Sequence, residues 1–214
     1  MTIPVQQLPQ KIAEALLKIE AVALSPNEPF TWTSGIKSPI YCDNRLTISY
    51  PEIRDLIAEG FAAMIREQAP DAEVIAGIAT GGIPHGAFVA QKLNLPMVYV
   101  RDKAKGHGKQ NQIEGVLKPG QKVVLIEDLI STGGSSLKAA LAVREAGGDV
   151  QRVLAIFTYQ FKQAADAFAA ENIPLDTLSN YSALLEVAAD IGKIDAGQVA
   201  LLQTWRENPQ EYGK

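Results

Sequence analysis

Apolar residues along this chain recur at two kinds of spacing, and the alternation between them predicts its helices and strands. Residues 10–24 carry apolar side chains at helical intervals, and so do residues 53–65, where Ser49 is the predicted cap and Pro51 stands in the first turn. Short runs that are almost entirely apolar indicate buried strands at residues 73–79, 96–101, 122–127, 150–159 and 175–178. Helical spacing lies between or after these runs, at residues 83–93, from the turn after residue 127 to about residue 146, at 162–171 and at 196–207.

The repeated order of strand and helix indicates an α/β fold. Its central sheet should be mostly parallel, because a helix between two strands lets the chain enter the sheet again in the same direction, and helices should flank both faces. No internal repeat or linker divides the sequence, so residues 1–214 are predicted to form a single domain. Sheets of this kind bind ligands at the carboxyl ends of their strands. The chemistry is therefore expected in the loops after residues 79, 101 and 127.

Composition narrows the possible functions. Lys and Arg total 20 against 24 Asp and Glu, a formal net charge of −4, and a mildly acidic chain is a poor general binder of nucleic acid. No run approaches the roughly 20 apolar residues of a membrane span, and the first residues lack the basic start of a secretory signal. With one cysteine, Cys42, and two histidines, His85 and His107, we expect neither a disulfide framework nor a zinc cluster. These features indicate a soluble cytoplasmic protein, with Cys42 a packed thiol and His85 a helix-start residue.

The strongest local signal is the run VVLIEDLISTGGSS at residues 123–136. A buried strand leads to two adjacent acids, Glu127 and Asp128, and then to small and hydroxyl-bearing residues that open a helix. The small residues let backbone N–H groups converge, and the helix N-terminus adds about half a unit of positive charge, which suits a phosphate. Since the acids suit neutral sugar hydroxyls, the whole run favours a sugar phosphate. The alternative is a polar strand end followed by an ordinary helix cap.

The second candidate is the basic loop, residues 101–109, with the sequence RDKAKGHGK. Four basic residues and one acid give it a charge of +3 within an acidic chain. A cationic loop that contains glycine suits a diphosphate, whose charge must be neutralised as it leaves. The alternative is a solvated charged loop without a ligand.

The third candidate is residues 30–45, FTWTSGIKSPIYCDNR, which fit neither periodicity and are rich in turn residues. Lys37 supplies a cation and Tyr41 a flat face, so the segment suggests a pocket for a flat anion. The alternative is a polar hairpin in which Trp32 and Tyr41 pack on the core.

Together these segments resemble the type I phosphoribosyltransferases. Residues 123–136 resemble the diphosphoribosyl-binding motif of that family, in which the acid pair contacts the ribose hydroxyls of 5-phosphoribosyl-1-diphosphate (PRPP) and the next loop holds its 5-phosphate. The resemblance implies the type I phosphoribosyltransferase fold, with an N-terminal hood mainly in residues 1–50, a core of about residues 51–180 and C-terminal helices in residues 181–214. It implies that PRPP contacts Glu127, Asp128, Leu129, Ile130, Ser131, Thr132, Gly133, Gly134 and Ser135.

Two further segments resemble the orotate phosphoribosyltransferases within that family. Arg101, Lys105 and His107 match the pattern R-x-x-A-K-x-H-G, and residues 34–41 match S-G-x-K-S-P followed by an aromatic residue. The resemblance implies transfer of the 5-phosphoribosyl group from PRPP to N1 of orotate, giving orotidine 5′-monophosphate and diphosphate in pyrimidine nucleotide (UMP) biosynthesis. It assigns catalysis to Arg101, Lys105, His107 and Asp128, further PRPP contacts to Arg101, Lys105 and His107, and orotate contacts to Ser131, Lys37 and Tyr41.

The resemblance also implies a cofactor and a partner subunit. Mg²⁺ is expected to bind through PRPP without a direct protein ligand, bridged by water to Glu127 and Asp128, and the chain is expected to form a homodimer whose basic loop is shared across the interface. The turn TGGIP at residues 80–84 resembles the family's diphosphate turn, with Gly81 where many members have Lys. Two alternatives stay open: a PRPP-binding regulator of the same fold and a purine phosphoribosyltransferase.

Overall fold

The computed structural model of the chain describes residues 4–31, 35, 37–102, 112–209 and 212. The helices in these ranges are α1 (Leu8–Lys18), α2 (Pro51–Gln68), α3 (Gly82–Leu93), α4 (Gly134–Glu145), α5 (Lys162–Ala170), α6 (Tyr181–Asp190) and α7 (Ala196–Glu207). The strands are β1 (Val22–Leu24), β2 (Phe30–Thr31), β3 (Lys37–Ser38), β4 (Ile40–Cys42), β5 (Val74–Ile78), β6 (Met97–Val100), β7 (Ile113–Glu114), β8 (Lys122–Ile130), β9 (Asp149–Thr158) and β10 (Leu175–Asn180).

The central sheet has the strand order β10-β9-β8-β5-β6-β7. Its pairs are parallel except that β7 runs antiparallel to β6 at the edge. The prediction of a mostly parallel sheet is confirmed. Strands β8 and β5 lie side by side in the middle, so the loops that follow them open next to each other at one edge.

Successive residues of β8 enter different hydrophobic cores, as the pleat of a strand requires. Val124 and Ile126 belong to the core that contains α1, α2 and α6. Val123 and Leu125 belong to the core against α4. Because both faces are covered, the strand is apolar from Val123 to Ile126, and its end is held in a fixed place at the sheet edge.

Strand β8 is longer than the sequence pattern predicted. The prediction ended it at Glu127, whereas it continues to Ile130 because its pairing with β9 continues through Glu127 with Ala155 and Ile130 with Thr158. The two acids therefore belong to the strand and do not lie in a loop. Pairing with β9 includes Glu127, skips Asp128 and resumes at Leu129, and the strand ends where the phosphate loop, residues 131–135, begins.

The prediction of one helical segment over residues 10–24 was wrong at its C-terminal end. Helix α1 ends at Lys18, and Glu20 then adopts a left-handed backbone conformation with φ of 56°. The next residues form β1, which pairs antiparallel with β4 of the hood. A helical spacing of apolar residues could not reveal this turn, because β1 is buried through tertiary pairing.

Other boundaries also differ from the prediction. Ser49 does not cap α2, since Tyr50 occupies the cap position and Ser49 ends a 3-10 helix at Asn44–Ser49. The spacing of apolar residues did not mark helix α6 separately, although the resemblance implied C-terminal helices in residues 181–214, where it lies. Within residues 30–45 the structure has the short strands β2, β3 and β4. None of the helices described is long and apolar enough to cross a membrane.

Helix α7 has the predicted bounds and the predicted buried side. Leu202 and Trp205 are buried, and the Trp205 ring packs against the rings of Tyr159, Phe161 and Tyr181. These contacts fasten the C-terminal helix to the residues that follow β9. The carboxyl end of the sheet is thereby backed by an aromatic cluster.

Candidate active site

The phosphate loop, residues 131–135, joins β8 to α4 and presents backbone donors. Gly133 has φ of 80°, and a Cβ there would lie 3.1 Å from Ala164 and from Phe168, so glycine suits this position on both counts. No side chain caps α4, which leaves the N–H groups of its first turn available to a ligand. Thr132 and Ser135 are exposed and Ser131 is half-buried beside this turn, an arrangement that could accept an anion.

Glu127 lies inside the protein, with 6% of its surface exposed. Its carboxyl group accepts hydrogen bonds from Ser136 Oγ at 2.9 Å and from the backbone N–H of Asp128 at 3.0 Å. Burial raises the pKa of Glu127 well above its usual value, and the neighbouring carboxyl of Asp128 raises it further. The Glu127 side chain is therefore buried inside the protein, whereas Asp128 is half-buried and partly accessible to a ligand.

Asp128 lies over the diphosphate turn that follows β5. A Cβ on Gly81 would fall 2.3 Å from Asp128 Cγ, and a Cβ on Gly82 would fall 2.2 Å from the carbonyl oxygen of Ile126. The turn thus lies directly against the end of β8. The absence of a side chain at Gly81 leaves room for the Asp128 carboxylate.

The two residues between the acids and the loop differ in exposure. Ile130 is fully buried in a cluster with Ala155 and Ala164, and its carbonyl accepts from the Tyr159 N–H at 3.2 Å. Its side chain is therefore not available to PRPP. Leu129 is half-buried.

The start of the basic loop reaches the same edge of the sheet. Arg101 follows β6 and lines a narrow cleft together with Ala79, Ser135 and Lys138. Its guanidinium forms a 3.4 Å ion pair with Glu114. Lys105 and His107, which the resemblance names as catalytic, lie outside the described residues.

The two hood residues expected to contact orotate belong to β3 and β4. Lys37 is exposed and donates from Nζ to Thr31 Oγ1 at 2.7 Å. Tyr41 is 47% exposed, and its ring lies 5.8 Å from that of Phe30. In the described part of the chain neither side chain forms a hydrogen bond or ion pair with the phosphate loop, so no polar contact links them to Ser131.

A buried polar cluster beneath Asp128 was not predicted as part of the site. Asn44 Nδ2 donates to the carbonyl of Asp128 at 2.7 Å, and Thr47 Oγ1 donates to the carbonyl of Asn44 at 2.6 Å. Thr47 Oγ1 also lies 3.3 Å from His85 Nε2. Since the hydroxyl hydrogen is directed to Asn44, Nε2 is the donor in that contact. No local periodicity in the sequence marks this cluster, because its members come from three separate segments.

His85 stands in the first turn of α3, as predicted, and only 1% of its surface is exposed. Burial lowers the pKa of His85 to about 4, although the negative charge of Asp128 acts in the opposite direction. Its Nδ1 has no hydrogen-bond partner among the described residues. The ring is therefore neutral in the folded protein near neutral pH.

Because of this histidine, we expect the free energy of unfolding to decrease as the pH is lowered. The unfolded chain binds a proton at His85 near pH 6.5 and the folded chain only near pH 4, so the contribution is complete above the higher value and is lost between the two. Relative to His85→Gln, the wild type should lose about 2 kcal/mol more unfolding free energy between pH 7.5 and pH 5. Urea unfolding at both pH values measures this difference.

The comparison with His85→Gln removes other titrations from the result. Glu127, whose pKa is raised, acts in the opposite sense because it favours the folded state as pH falls. It is present in both proteins and cancels. Equal losses in wild type and variant would contradict the assignment to His85.

Glu127 and Asp128 are the acids at the end of β8 that could take part in a metal centre. Among the described residues no group of three or more His, Cys, Asp and Glu side chains could hold a metal ion. Glu127 and Asp128 offer hard oxygen donors of the kind that Mg²⁺ prefers, but the Glu127 oxygens already accept hydrogen bonds from Ser136 and Asp128. The donor set therefore fits a cation whose other ligands come from a bound substrate.

Comparison with known proteins gives a family for most of this chain. Residues 47–172, from the 3-10 helix before α2 to the residues after α5, match the family "Phosphoribosyl transferase domain". An orotate phosphoribosyltransferase of Lactiplantibacillus plantarum is 60% identical over 202 residues, which cover 94% of this chain and 95% of the relative. An orotate phosphoribosyltransferase of Bacillus caldolyticus is 58% identical over 202 residues, which cover 94% and 98%.

Solved structures show the same architecture. The crystal structure of orotate phosphoribosyltransferase from Aeropyrum pernix superposes with a TM-score of 0.74 at 26% identity and covers 86% of this chain and 99% of its own.

Proposed function

The chain belongs to the phosphoribosyltransferases, and within them to the orotate phosphoribosyltransferases; from this we propose how its residues carry the reaction. The protein transfers the 5-phosphoribosyl group of PRPP to N1 of orotate. The bond from ribose C1 to the diphosphate oxygen breaks, a bond from C1 to N1 forms, and orotidine 5′-monophosphate and diphosphate are the products. This step belongs to pyrimidine nucleotide biosynthesis.

The observation that carries the residue assignment is the meeting of three features at the ends of β5 and β8. The phosphate loop offers backbone donors, Asp128 offers an acceptor, and the turn at Gly81 and Gly82 lies directly against Asp128. A sugar phosphate with a diphosphate at C1 matches this arrangement. Its 5-phosphate would meet the loop, its hydroxyls Asp128 and its diphosphate the turn.

We assign the leaving group to the basic side chains. In a transfer with an oxocarbenium-like transition state, negative charge grows on the diphosphate as the C1–O bond lengthens. Arg101, Lys105 and His107 would neutralise that charge or protonate the diphosphate. Glu127, inside the fold, would support Asp128 through the N–H that it accepts.

The base would be held between the hood and the phosphate loop. Ser131 supplies a hydroxyl at the loop, Lys37 a cation and Tyr41 a flat face. This arrangement needs the hood to meet the loop in the ligand-bound protein, since no hydrogen bond joins these side chains in the described part of the structure. The names of the relatives at 56–60% identity support orotate over a purine base and an enzyme over a regulator.

We further propose that Mg²⁺ is the cofactor and that the protein acts as a homodimer in the cytoplasm. When bound, the cation would screen the diphosphate charge, held by substrate oxygens and through water by Asp128 and Glu127. The match of the basic loop to the pattern R-x-x-A-K-x-H-G supports a shared site, in which residues 101–109 of one subunit serve the partner.

The assignment is tested by orotate-dependent diphosphate release in wild type and in Asp128→Asn. We expect kcat/KM for PRPP to fall about tenfold in the variant, because an amide offers one oxygen acceptor without charge where the carboxylate offers two. The KM for orotate should change little, since the base lies at the other side of C1.

Asp149→Asn is the matched control, because Asp149 is exposed at the start of β9, at the opposite edge of the sheet. It should have wild-type kinetics. Equal kinetics in Asp128→Asn would remove the ribose role. Diphosphate release with hypoxanthine or adenine but not with orotate would contradict orotate as the substrate.

A further inference from the structure

Asn44 forms a hydrogen bond with β8, the strand that carries Asp128, and the proposed reaction assigns Asn44 no role. It starts the 3-10 helix of the hood, 84 residues before Asp128 in sequence, and only 1% of its surface is exposed. Its Nδ2 donates to the backbone carbonyl of Asp128 at 2.7 Å. This bond directly joins the hood to the carboxyl end of β8.

The carbonyl of Asp128 lies where the sheet has stopped supplying partners. Pairing between β5 and β8 ends at Gly77 with Ile126, while pairing with β9 resumes at Leu129. The backbone of Asp128 is held by side chains instead, its N–H by Glu127 Oε1 and its carbonyl by Asn44 Nδ2. Asn44 takes the place of a missing strand neighbour, and a buried carbonyl without that donor would be left unpaired.

The orientation of the Asn44 amide is fixed from its other side. Cys42 Sγ lies 3.2 Å from Asn44 Oδ1 and donates to it. Burial raises the pKa of the Cys42 thiol, so the donor proton is retained. With the oxygen engaged by the thiol, the amide NH₂ is directed to Asp128.

We propose that Asn44 is a positioning residue for phosphoribosyl transfer, which fixes the backbone of Asp128 and thereby the direction of its carboxylate. The inference rests on the proposed function, because it assigns a support to the ribose-binding acid. It predicts that the loss of this single donor lowers kcat/KM for PRPP only through its effect on Asp128.

The test is a double-variant cycle of Asn44→Asp and Asp128→Asn in the full chain. Asn44→Asp keeps the size of the side chain and replaces the donor with an acceptor. We expect it to lower kcat/KM for PRPP about tenfold while the KM for orotate stays within twofold of wild type. If Asn44 acts through Asp128, the double variant should lose no more than Asp128→Asn alone, within twofold.

Thr47→Val is the matched control for damage to the buried cluster. It removes the hydroxyl that bonds the Asn44 carbonyl and lies near His85, but it leaves the bond from Asn44 to Asp128. It should lower the melting temperature without a specific loss of kcat/KM for PRPP. Should Asn44→Asp fail to fold, Asn44→Ser shortens the side chain out of reach of Asp128 and enters the same cycle.

The outcomes separate the inference from the function on which it rests. Losses that multiply in the double variant, or wild-type kcat/KM for PRPP in both Asn44 variants, would overturn the positioning role while the wild type remains an active transferase. Wild-type protein that releases no diphosphate with orotate would overturn the proposed function and the inference with it.

Discussion

Lys105→Ala is expected to lower kcat by about a hundredfold or more, with a smaller rise in the KM for PRPP. The described site carries negative charge in Asp128, and its Arg101 guanidinium is already paired with Glu114. In the proposed mechanism Arg101 would therefore share the charge of the departing diphosphate with Lys105, His107 and the proposed Mg²⁺. Removal of one such group from a transition state typically costs 10²- to 10³-fold in kcat, and steady-state diphosphate release measures it.

The control for this change is Lys118→Ala. Lys118 is an exposed lysine in the segment before β8, at the amino end of the strand, where no ligand is expected. Its removal changes the net charge of the chain equally but should leave kcat unchanged. If Lys105→Ala raises the KM for PRPP and leaves kcat intact, the lysine binds substrate and does not act on the leaving group.

Much of the core could be predicted from the sequence because local patterns specify it. Strands β5, β8 and β9 are apolar runs buried on both faces, and α3 and α7 have clear apolar stripes. Elements that depend on pairing between distant segments were not predicted. The end of β8 is charged and polar in sequence, and only its pairing with β9 keeps it in the sheet.

Helix α6 lies where the resemblance implied C-terminal helices, but the spacing of apolar residues did not mark its bounds, although the sequence carries a signal for them. Asn180 accepts from the Ala183 N–H as a cap, and the buried residues that follow it have helical spacing. The stretch begins directly after β10 with no loop between them, so the strand pattern and the helix pattern merge. A search for capping residues at strand ends would have separated the two.

The candidate site also has one part that a local motif predicts and another part that depends on the fold. Glu127, Asp128 and the phosphate loop follow from a motif because chain connectivity alone places them together at one strand end. Asn44 and His85 carry no motif, since their roles arise from contacts across 84 and 38 residues of sequence, with Asp128 and with Thr47. The sequence pattern predicts which groups contact the ligand, whereas the groups that position them become visible only in the fold.

Gly82→Ala should be the most damaging small substitution in the described part of the chain, because the new methyl group has no room. Its Cβ would lie 2.2 Å from the carbonyl oxygen of Ile126 and 3.1 Å from the Glu127 Cα. Both are backbone atoms of a central strand that is paired on each side, so neither can retreat. We expect a loss of about 3 kcal/mol or more in unfolding free energy, or a fall of about 10 °C in Tm, measured by thermal unfolding.

Gly134→Ala is the control for stability, since a Cβ at Gly134 would meet nothing within 4 Å. Its melting temperature should match or slightly exceed that of wild type, because alanine is the better helix former. A Gly82→Ala protein that melts with the wild type would mean that the turn can move away from β8. In that case the close packing of the diphosphate turn on the acid-bearing strand would not be needed for the fold. Its activity would then report whether the same packing is needed to present Asp128 to the ribose.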